Sequence, residues 1–407
     1  MKQWRQDRLI DILDTLIDYR GKTPNKVDCG IPLITAKIVK NGRIDTPTEF
    51  LPTEDYNGWM VRGFPQVGDV VLTTEAPLGE VAQLTDEKIA LAQRIVCLRG
   101  KEGVLDNTYL KYFFLSNIGQ NRLKAKETGT TVTGIKQSEL KEILIDYPKI
   151  DTQKAIASVL SSLDSKIELN SRINDNLEQQ AQSLFKAWFV DNSNPDWVET
   201  TLSEVASFIG GYSYKGEELT DSSDMAMATI KNFGRNGGFK VDGFKDITPS
   251  TKLKECQYVD MFDVLVAHTD LTQNADVIGN AELLLTYGKY DRVIFSMDLV
   301  KVLPKNNFPY KFLLAAMLKN KIFKGHCLGY VNGTTVLHLN KKALPQFKIR
   351  IPSEYEARTM NDTLAPYFKQ MAEVLQENER LILLRDTLLP KLMSGELKIS
   401  DIETAYE

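Results

Sequence analysis

With 407 residues, 43% of them hydrophobic and 26% charged, the chain has the composition of an ordinary folded protein of two or three domains, which excludes both a single small core and wholesale disorder. No apolar run approaches the roughly 18 to 20 residues needed to cross a bilayer, and Met1-Lys2-Gln3-Trp4-Arg5 leads into Asp-rich sequence, so the expected location is cytoplasmic. The net charge of −4 is unevenly spread: residues 1–150 carry 21 Lys+Arg against 20 Asp+Glu, residues 192–352 carry 19 against 17, and the remainder 10 against 17, so the acidic total does not exclude a nucleic-acid partner.

The first globular stretch, 1–150, has short apolar runs bounded by Gly, Pro or Asp at Gly30-Ile31-Pro32-Leu33-Ile34 and Gly68-Asp69-Val70-Val71-Leu72, which predict strands. A short helix is predicted over Thr108 to Asn121. Pro148 precedes a long helical pattern, 151–191, for which Asp151 and Thr152 are candidate caps. Its apolar seam runs Leu160, Leu163, Ile167, Asn170, Asn174, Leu177, Ala181, Leu184, Trp188, a 3-4 spacing that suits two helices packed together. Asp191-Asn192-Ser193-Asn194-Pro195 ends it.

The second globular stretch, 192–352, repeats the plan, with a predicted strand at Asp263-Val264-Leu265-Val266-Ala267 and a short helix over Pro309 to Phe323. A second long helix, 353–393, carries Leu364, Tyr367, Met371, Val374, Asn378, Leu381, Arg385 and Leu388 in the same register, with Pro390 expected to halt it and 394–407 left as a tail.

These likenesses are an internal repeat. Gly129-Thr130-Thr131-Val132 recurs 204 residues later as Gly333-Thr334-Thr335-Val336, and without a gap Leu140, Ile145 and Pro148 fall on Leu344, Ile349 and Pro352. Trp4, Leu9 and Tyr19 match Trp197, Leu202 and Tyr212 at an offset of 193, so the globular parts differ by insertions. The predicted class is α+β: two globular α/β domains with twisted sheet cores, two long antiparallel coiled-coil helices between them, and a pseudo-twofold repeat. A helix of about 36 residues is roughly 55 Å long, or about 16 base pairs of B-DNA. Asn174 and Asn378, at equivalent seam positions, are candidates to fix helix register, the alternative being that they face water.

Catalytic motifs are lacking. Gly21-Lys22-Thr23 resembles the end of a phosphate-binding loop, yet Leu16 stands where such a loop needs Gly, and Asn194-Pro195 continues as Asp196-Trp197 rather than as a methyltransferase tetrapeptide. His268, His326 and His338 form no metal motif, and Cys29, Cys97, Cys256 and Cys327 form no CxxC pair, so they are taken as buried or reduced thiols. No catalytic or metal residue is assigned.

Two related but unequal domains on a rod of DNA-site length suit the reading of two unlike sites; bases are read by Arg, Lys, Asn and Gln, and phosphates are held by Lys, Arg, hydroxyls and backbone amides, so candidate DNA contacts are sought in polar loops between strands. In the first domain these are Tyr19, Arg20, Gly21, Lys22, Thr23, Lys37, Lys40, Asn41, Arg43, Thr74, Glu75 and Arg94, with Lys124, Lys126, Thr130 and Thr131 for phosphates. In the second they are Tyr212, Ser213, Tyr214, Lys215, Lys231, Asn232, Arg235 and Asn236, then His268, Thr269, Asp270, Thr272, Gln273 and Asn274 as first choice for base reading, and Thr334 and Thr335. A solvated loop, or for 268–274 a polar turn, explains these residues equally well.

Leu184-Phe185-Lys186-Ala187-Trp188-Phe189-Val190-Asp191 resembles the segment that ends the central helix of the specificity subunits of type I restriction-modification enzymes, and Leu384-Arg385-Asp386-Thr387-Leu388-Leu389-Pro390-Lys391-Leu392-Met393-Ser394-Gly395-Glu396-Leu397 is similar to their C-terminal signature. The resemblance spans the chain, with one departure: Gln153 and Ile156 are family-like, whereas Ala357 and Met360 stand at the matching places. It implies a non-catalytic DNA-binding subunit reading a bipartite double-stranded target and docking two adenine methyltransferase subunits and a nuclease/translocase. S-adenosylmethionine, and ATP with Mg, would then belong to those partners. Trp188, Phe189, Leu388 and Leu389 are candidate docking residues, with packing inside the chain as the alternative. Competing readings are a methyltransferase-targeting subunit without a nuclease, a self-contained methyltransferase or nuclease, and a scaffold with no DNA role.

Overall fold

The computed structural model describes residues 4–86, 88–129, 133–235 and 237–403. The chain forms two compact units, Met1–Lys166 with Leu381–Glu407, and Ile167–Arg380, so each unit takes a segment of both long helices.

In the first unit the central sheet is antiparallel in the order Leu13–Asp18, Ile95–Gly100, Val70–Thr74, Leu78–Gln83. Val70-Val71-Leu72 reads as an unbroken apolar run because both faces are covered. Val70, Leu72, Val96 and Leu98 pack with Tyr109, Phe113 and Leu160 on the helical side. Val71, Ile95 and Cys97 pack on the other side with Ile31, Leu33 and Leu91, from a small layer in which Ile31–Ile34 pairs with Phe50–Leu51 and, in parallel, with Ala90–Leu91.

The second unit repeats the sheet as Ala206–Gly210, Leu299–Pro304, Val264–Ala267, Ala281–Leu283. Its outer layer differs, pairing Met225–Ala228 with Lys245–Asp246 and, in parallel, with Arg292–Phe295. Each unit closes its chain in the same way, Arg5–Arg8 on Leu144–Tyr147 and Val198–Thr201 on Lys348–Ile351. That pairing explains why Trp4-to-Leu9 and Trp197-to-Leu202 resemble each other.

The predicted short helices each prove to be two: Asn107–Leu115 then Asn117–Ala125, and Lys311–Leu318 then Lys321–Leu328. A capping side chain breaks each: Ser116 Oγ accepts from the Gly119 N–H at 3.3 Å, and Asn320 Oδ1 from the Ile322 and Phe323 N–H groups at 2.9 and 3.1 Å. Ser116 and Asn320 are again 204 residues apart.

The long helices are Ile150–Lys186, followed by a π-helical turn Ala187–Asp191, and Glu354–Ser394. Asp151 lies within the first turn of its helix rather than at a cap. The second starts at a reciprocal cap, the Ser353 N–H donating to the Glu356 carboxylate at 2.9 Å and the Glu356 N–H to Ser353 Oγ at 3.4 Å. Pro390 does not halt it. The chain stays helical to Ser394 because Leu392 and Met393 are buried in the first unit's core, and it ends at Gly395, φ +68°.

The helices run antiparallel within each unit. In the second, Asn170 Nδ2 donates to Glu377 at 2.7 Å, Asn174 Nδ2 to the Met371 carbonyl at 3.4 Å and Asn378 Nδ2 to the Ile167 carbonyl at 3.3 Å. The last two bonds are each other's equivalents at offset 204, so the local pairing is pseudo-twofold. Asn174 and Asn378 thus hold the opposite backbone, not each other. Ile167, Met371 and Asn378 are buried, as the seam predicted.

Candidate nucleic-acid interface

Sheet register decides which loops meet. In the first unit Asp18 pairs with Val96 and Thr73 with Ile95, so 19–23, Glu75 and Arg94 leave the sheet at one end. The Thr74 N–H donates to the Arg94 carbonyl at 2.8 Å and the Ile135 N–H to the Thr74 carbonyl at 2.9 Å, while Glu75 bridges Gly134 and Gly134 bridges Thr128, which brings Thr128, Gly134 and Ile135 to the same end.

The side chains there divide between structure and surface. Tyr19 is fully buried, stacked on Trp59 at 5.4 Å, its hydroxyl accepting from the Arg62 N–H at 3.0 Å and itself pushed up by burial; it belongs to the core and not to a DNA surface. Arg20 is held at 2.6 Å by Asp18 and at 2.5 Å by the Ile135 carbonyl, so it ties the sheet end to the 135 segment. Thr74 is buried, with no partner for its hydroxyl. By contrast Gly21, Lys22 and Thr23 are exposed. Arg94 and Glu75 form a partly exposed ion pair at 2.7 Å. Lys124 is exposed, Lys126 pairs with Glu139 at 2.9 Å, and Thr130 and Thr131 lie outside the described residues.

Lys37, Lys40, Asn41 and Arg43 sit in or beside the hairpin Val39–Lys40/Arg43–Ile44 at the sheet's edge, where Gly42 bridges Ala82 and the Asn41 N–H donates to Glu80 at 2.8 Å. Asn41 and Gly42 both have positive φ, 50° and 82°, the tight turn that Asn-Gly favours. Lys37 faces Glu49 at 3.9 Å, Lys40 is exposed and Arg43 is half-buried.

The second unit builds the same end. The His268 N–H donates to the Asp298 carbonyl and the Leu339 N–H to the His268 carbonyl, both at 2.8 Å, and Thr269 pairs with His338. Gln273 Nε2 donates to the Thr334 carbonyl at 2.6 Å, joining loops 268–274 and 333–338. Burial pushes the His268 imidazole down, helped by His338 and Lys341 and opposed by Asp298.

Asp270 is buried; Oδ1 accepts from the Thr272 N–H and hydroxyl at 2.8 and 2.9 Å and Oδ2 from the Val277 N–H at 2.7 Å, so Asp270 and Thr272 build the turn. Gln273, Asn274, Thr334 and Thr335 are exposed, with Leu271 69% exposed beside them.

Tyr212 is buried like Tyr19, but its hydroxyl donates to Glu218 at 2.7 Å. Glu218 also accepts from the Ser250 hydroxyl and N–H and the Lys215 N–H, bonds that hold its carboxyl down to about 2. Ser213 and Lys215 are exposed, and Lys245 lies over the half-buried Tyr214 ring at 5.7 Å. Asn232 is fully buried, accepting from the Thr229 N–H and donating to the Lys240 carbonyl, so it holds a turn and reads nothing. Lys231 is exposed, Arg235 faces Asp276 at 3.6 Å, and Asn236 lies outside the described residues.

Trp188 and Phe189 pack against the second unit's core, Phe189 stacking on Phe185 at 4.9 Å, and Leu388 and Leu389 pack against the first. The exposed apolar residues near the second helix's end are Ile382, Leu383 and Leu384 instead. His326 packs at a tilt against Phe347, ring centroids 5.1 Å apart, and bonds the Ala343 carbonyl, a structural role. All four cysteines are free thiols, Cys97 and Cys327 buried and Cys29 and Cys256 exposed, in keeping with the expectation of buried or reduced thiols. Sequence reasoning missed Arg62, His338 and Asp298, although Asp298 stands at Arg94 plus the 204 offset.

Among the described residues no helix is long and apolar enough to cross a membrane. The family model for the type I restriction modification DNA specificity domain matches twice, over residues 1–179 and 194–382. The chain is similar over 98% of its length, at 25% identity, to the type I restriction enzyme MjaIX specificity subunit of Methanocaldococcus jannaschii, 95% of which is covered. It is 24% identical to the HindI specificity subunit of Haemophilus influenzae, over 68% of this chain and 74% of that one. Its fold is similar to the crystal structure of a type I restriction-modification S subunit from M. genitalium, with a TM-score of 0.54 at 20% identity and 96% coverage of both chains. A chain matched twice by one family model, in two units that repeat one sheet and one loop-bearing end, belongs to the DNA specificity subunits of type I restriction-modification systems.

Proposed function

We propose that each unit reads one half of a split DNA target and that the reaction is carried out by other subunits. The observation that carries this reading is a loop-bearing sheet end built twice on one hydrogen-bond scheme and furnished with different side chains, Glu75 and Arg94 in one unit, Thr269 and Asp298 in the other. Identical furniture would suit a repeated site; unlike furniture suits two different half-sites. Exposed Lys22, Lys40, Lys124, Lys215 and Lys231 would hold phosphates, and Gln273 and Asn274 would contact bases.

Two adenine methyltransferase subunits would bring S-adenosylmethionine, and nuclease/translocase subunits ATP with Mg. The exposed face at Leu383 and Leu384 suits docking better than the half-buried Trp188, Phe189, Leu388 or Leu389, which pack against their own units' cores. Leu383→Asp should then abolish co-purification with the methyltransferase subunit while the fold persists by circular dichroism.

Mapping methylated adenines in DNA exposed to the assembled complex tests the main reading. A motif of two unlike segments around a fixed spacer is expected, and a single uninterrupted motif would overturn it.

A further inference from the structure

We infer that Arg94 and Asp298, each paired with a neighbour, Glu75 or the buried Thr269, are the positions at which the two units choose different bases, an inference that rests on the split-target reading above. Their equivalence is fixed by backbone bonds. Thr74 to Arg94 and His268 to Asp298 are one bond made twice, as are Ile135 to Thr74 and Leu339 to His268. The residue after each strand, Glu75 or Thr269, therefore meets the residue before the neighbouring strand, Arg94 or Asp298. Arg94 Nε bonds Glu75 at 2.7 Å, and Thr269 Oγ1 donates to Asp298 Oδ1 at 2.9 Å.

The geometry is shared and the chemistry is opposite. Arg94 presents only donors, in a planar fork that matches guanine O6 and N7. Asp298 presents only acceptors, which match the exocyclic amine of cytosine or adenine and repel the guanine edge. Arg94 is also held at φ +75°, a backbone region where glycine is the unstrained choice, so the side chain is kept at a conformational cost. In each pair the neighbour, Glu75 or Thr269, orients the reading group before DNA arrives.

The test uses the chain assembled with its methyltransferase subunits, and its readout is the methylated motif with the rate at each variant site. Arg94→Gly, which suits the positive φ, should lower methylation of the native target about ten- to a hundredfold and relax one guanine in one half-site, leaving the other half unchanged. Asp298→Asn, which keeps shape and adds a donor, should alter one base of the other half-site. Glu75→Gln should weaken the same guanine preference by less than Arg94→Gly does.

Uniform loss over all sequences, or an unchanged motif with normal rates, would overturn the assignment while leaving the split-target reading intact. If Arg94→Gly fails to assemble, Glu75→Gln and Asp298→Asn decide the outcome. A wild-type complex with no two-part motif would instead sink the parent reading.

Discussion

The two units solve one architectural problem with different polar hardware. Both pack a helix pair against a sheet-and-helix layer, yet at equivalent positions the first unit uses Asp164 where the second uses Phe368. Asp164 accepts from the Tyr112 hydroxyl at 2.6 Å and Arg385 at 3.0 Å, with Lys111 3.6 Å away; Phe368 stacks on Phe312 at 5.8 Å. The second unit places its charges elsewhere: Lys319 is buried between Glu282, a close hydrogen-bonded ion-pair partner, and Glu178 at 3.4 Å on the central helix. Those two carboxylates outweigh burial and hold the Lys319 ammonium up. The order of the central sheet is common to both units, whereas the means of neutralising buried charge differs.

The hardest way to break that comparison is to remove one partner of the buried cluster. Lys319→Met should cost about 3–5 kcal/mol in urea unfolding because two carboxylates are left unpaired, and adding Glu282→Gln should restore much of it. Asp164→Asn, in a less buried cluster, should cost about 1.5–3 kcal/mol. Equal losses would show that the two clamps are energetically alike despite their burial.

The helix pairing gives a result of opposite sign. The Oδ1 atoms of Asn170, Asn174 and Asn378 are buried with no hydrogen-bond partner. Replacing Asn174 and Asn378 together by Leu should therefore raise stability by about 1–2 kcal/mol while loosening register. Disulfide trapping between N170C and E377C, close in the native pairing, would then lose efficiency; a less stable variant with unaltered trapping would refute a register role.

Glu218 sharpens the contrast between the equivalent tyrosines Tyr19 and Tyr212, since of this pair Tyr212 donates to a carboxylate and Tyr19 to the Gly63 carbonyl. Its folded carboxyl titrates near 2, below the ordinary 4.5, so its stabilisation is fully present above 4.5 and is lost as pH falls toward 2. Glu218→Gln should flatten the acid limb of the unfolding curve over that window, whereas an unchanged limb would mean the bonds add nothing.

The smallest effect is expected at Lys124. Lys124→Ala should weaken DNA binding uniformly across sequences and reduce the salt slope by about one. A slope that stays put would remove Lys124 from the phosphate contacts.

The seam was legible because burial on a helix follows a simple period: Leu160, Ile167, Leu177, Ala181, Leu364 and Met371 are all buried as their spacing requires. Other local signals were present in the letters but unread. Ser353-Glu354-Tyr355-Glu356 is a capping box, and Lys40-Asn41-Gly42-Arg43 is a hairpin turn. Pro390 misled because local propensity was weighed without the burial of Leu392 and Met393 that overrides it.

The candidate site was legible only as a set of loops. Tyr19, Asn232 and Asp270 have polar atoms suited to DNA, yet each spends them inside the fold. Gln153 and Ala357 show the same limit: the Gln153 amide ties its helix start to the Asp106 N–H and the Val104 carbonyl, a role that equivalent position 357 lacks.

The sequence by itself determined the duplication, the two long helices, their seam and the sandwiched strands, because each depends on periodicity or on a repeat that the chain writes out locally. Only the tertiary structure decided which polar side chains were consumed by the core and that Glu75 meets Arg94 where Thr269 meets Asp298. Those pairings depend on strand register between residues 19 and 29 positions apart, and no local pattern encodes which distant partner a side chain meets.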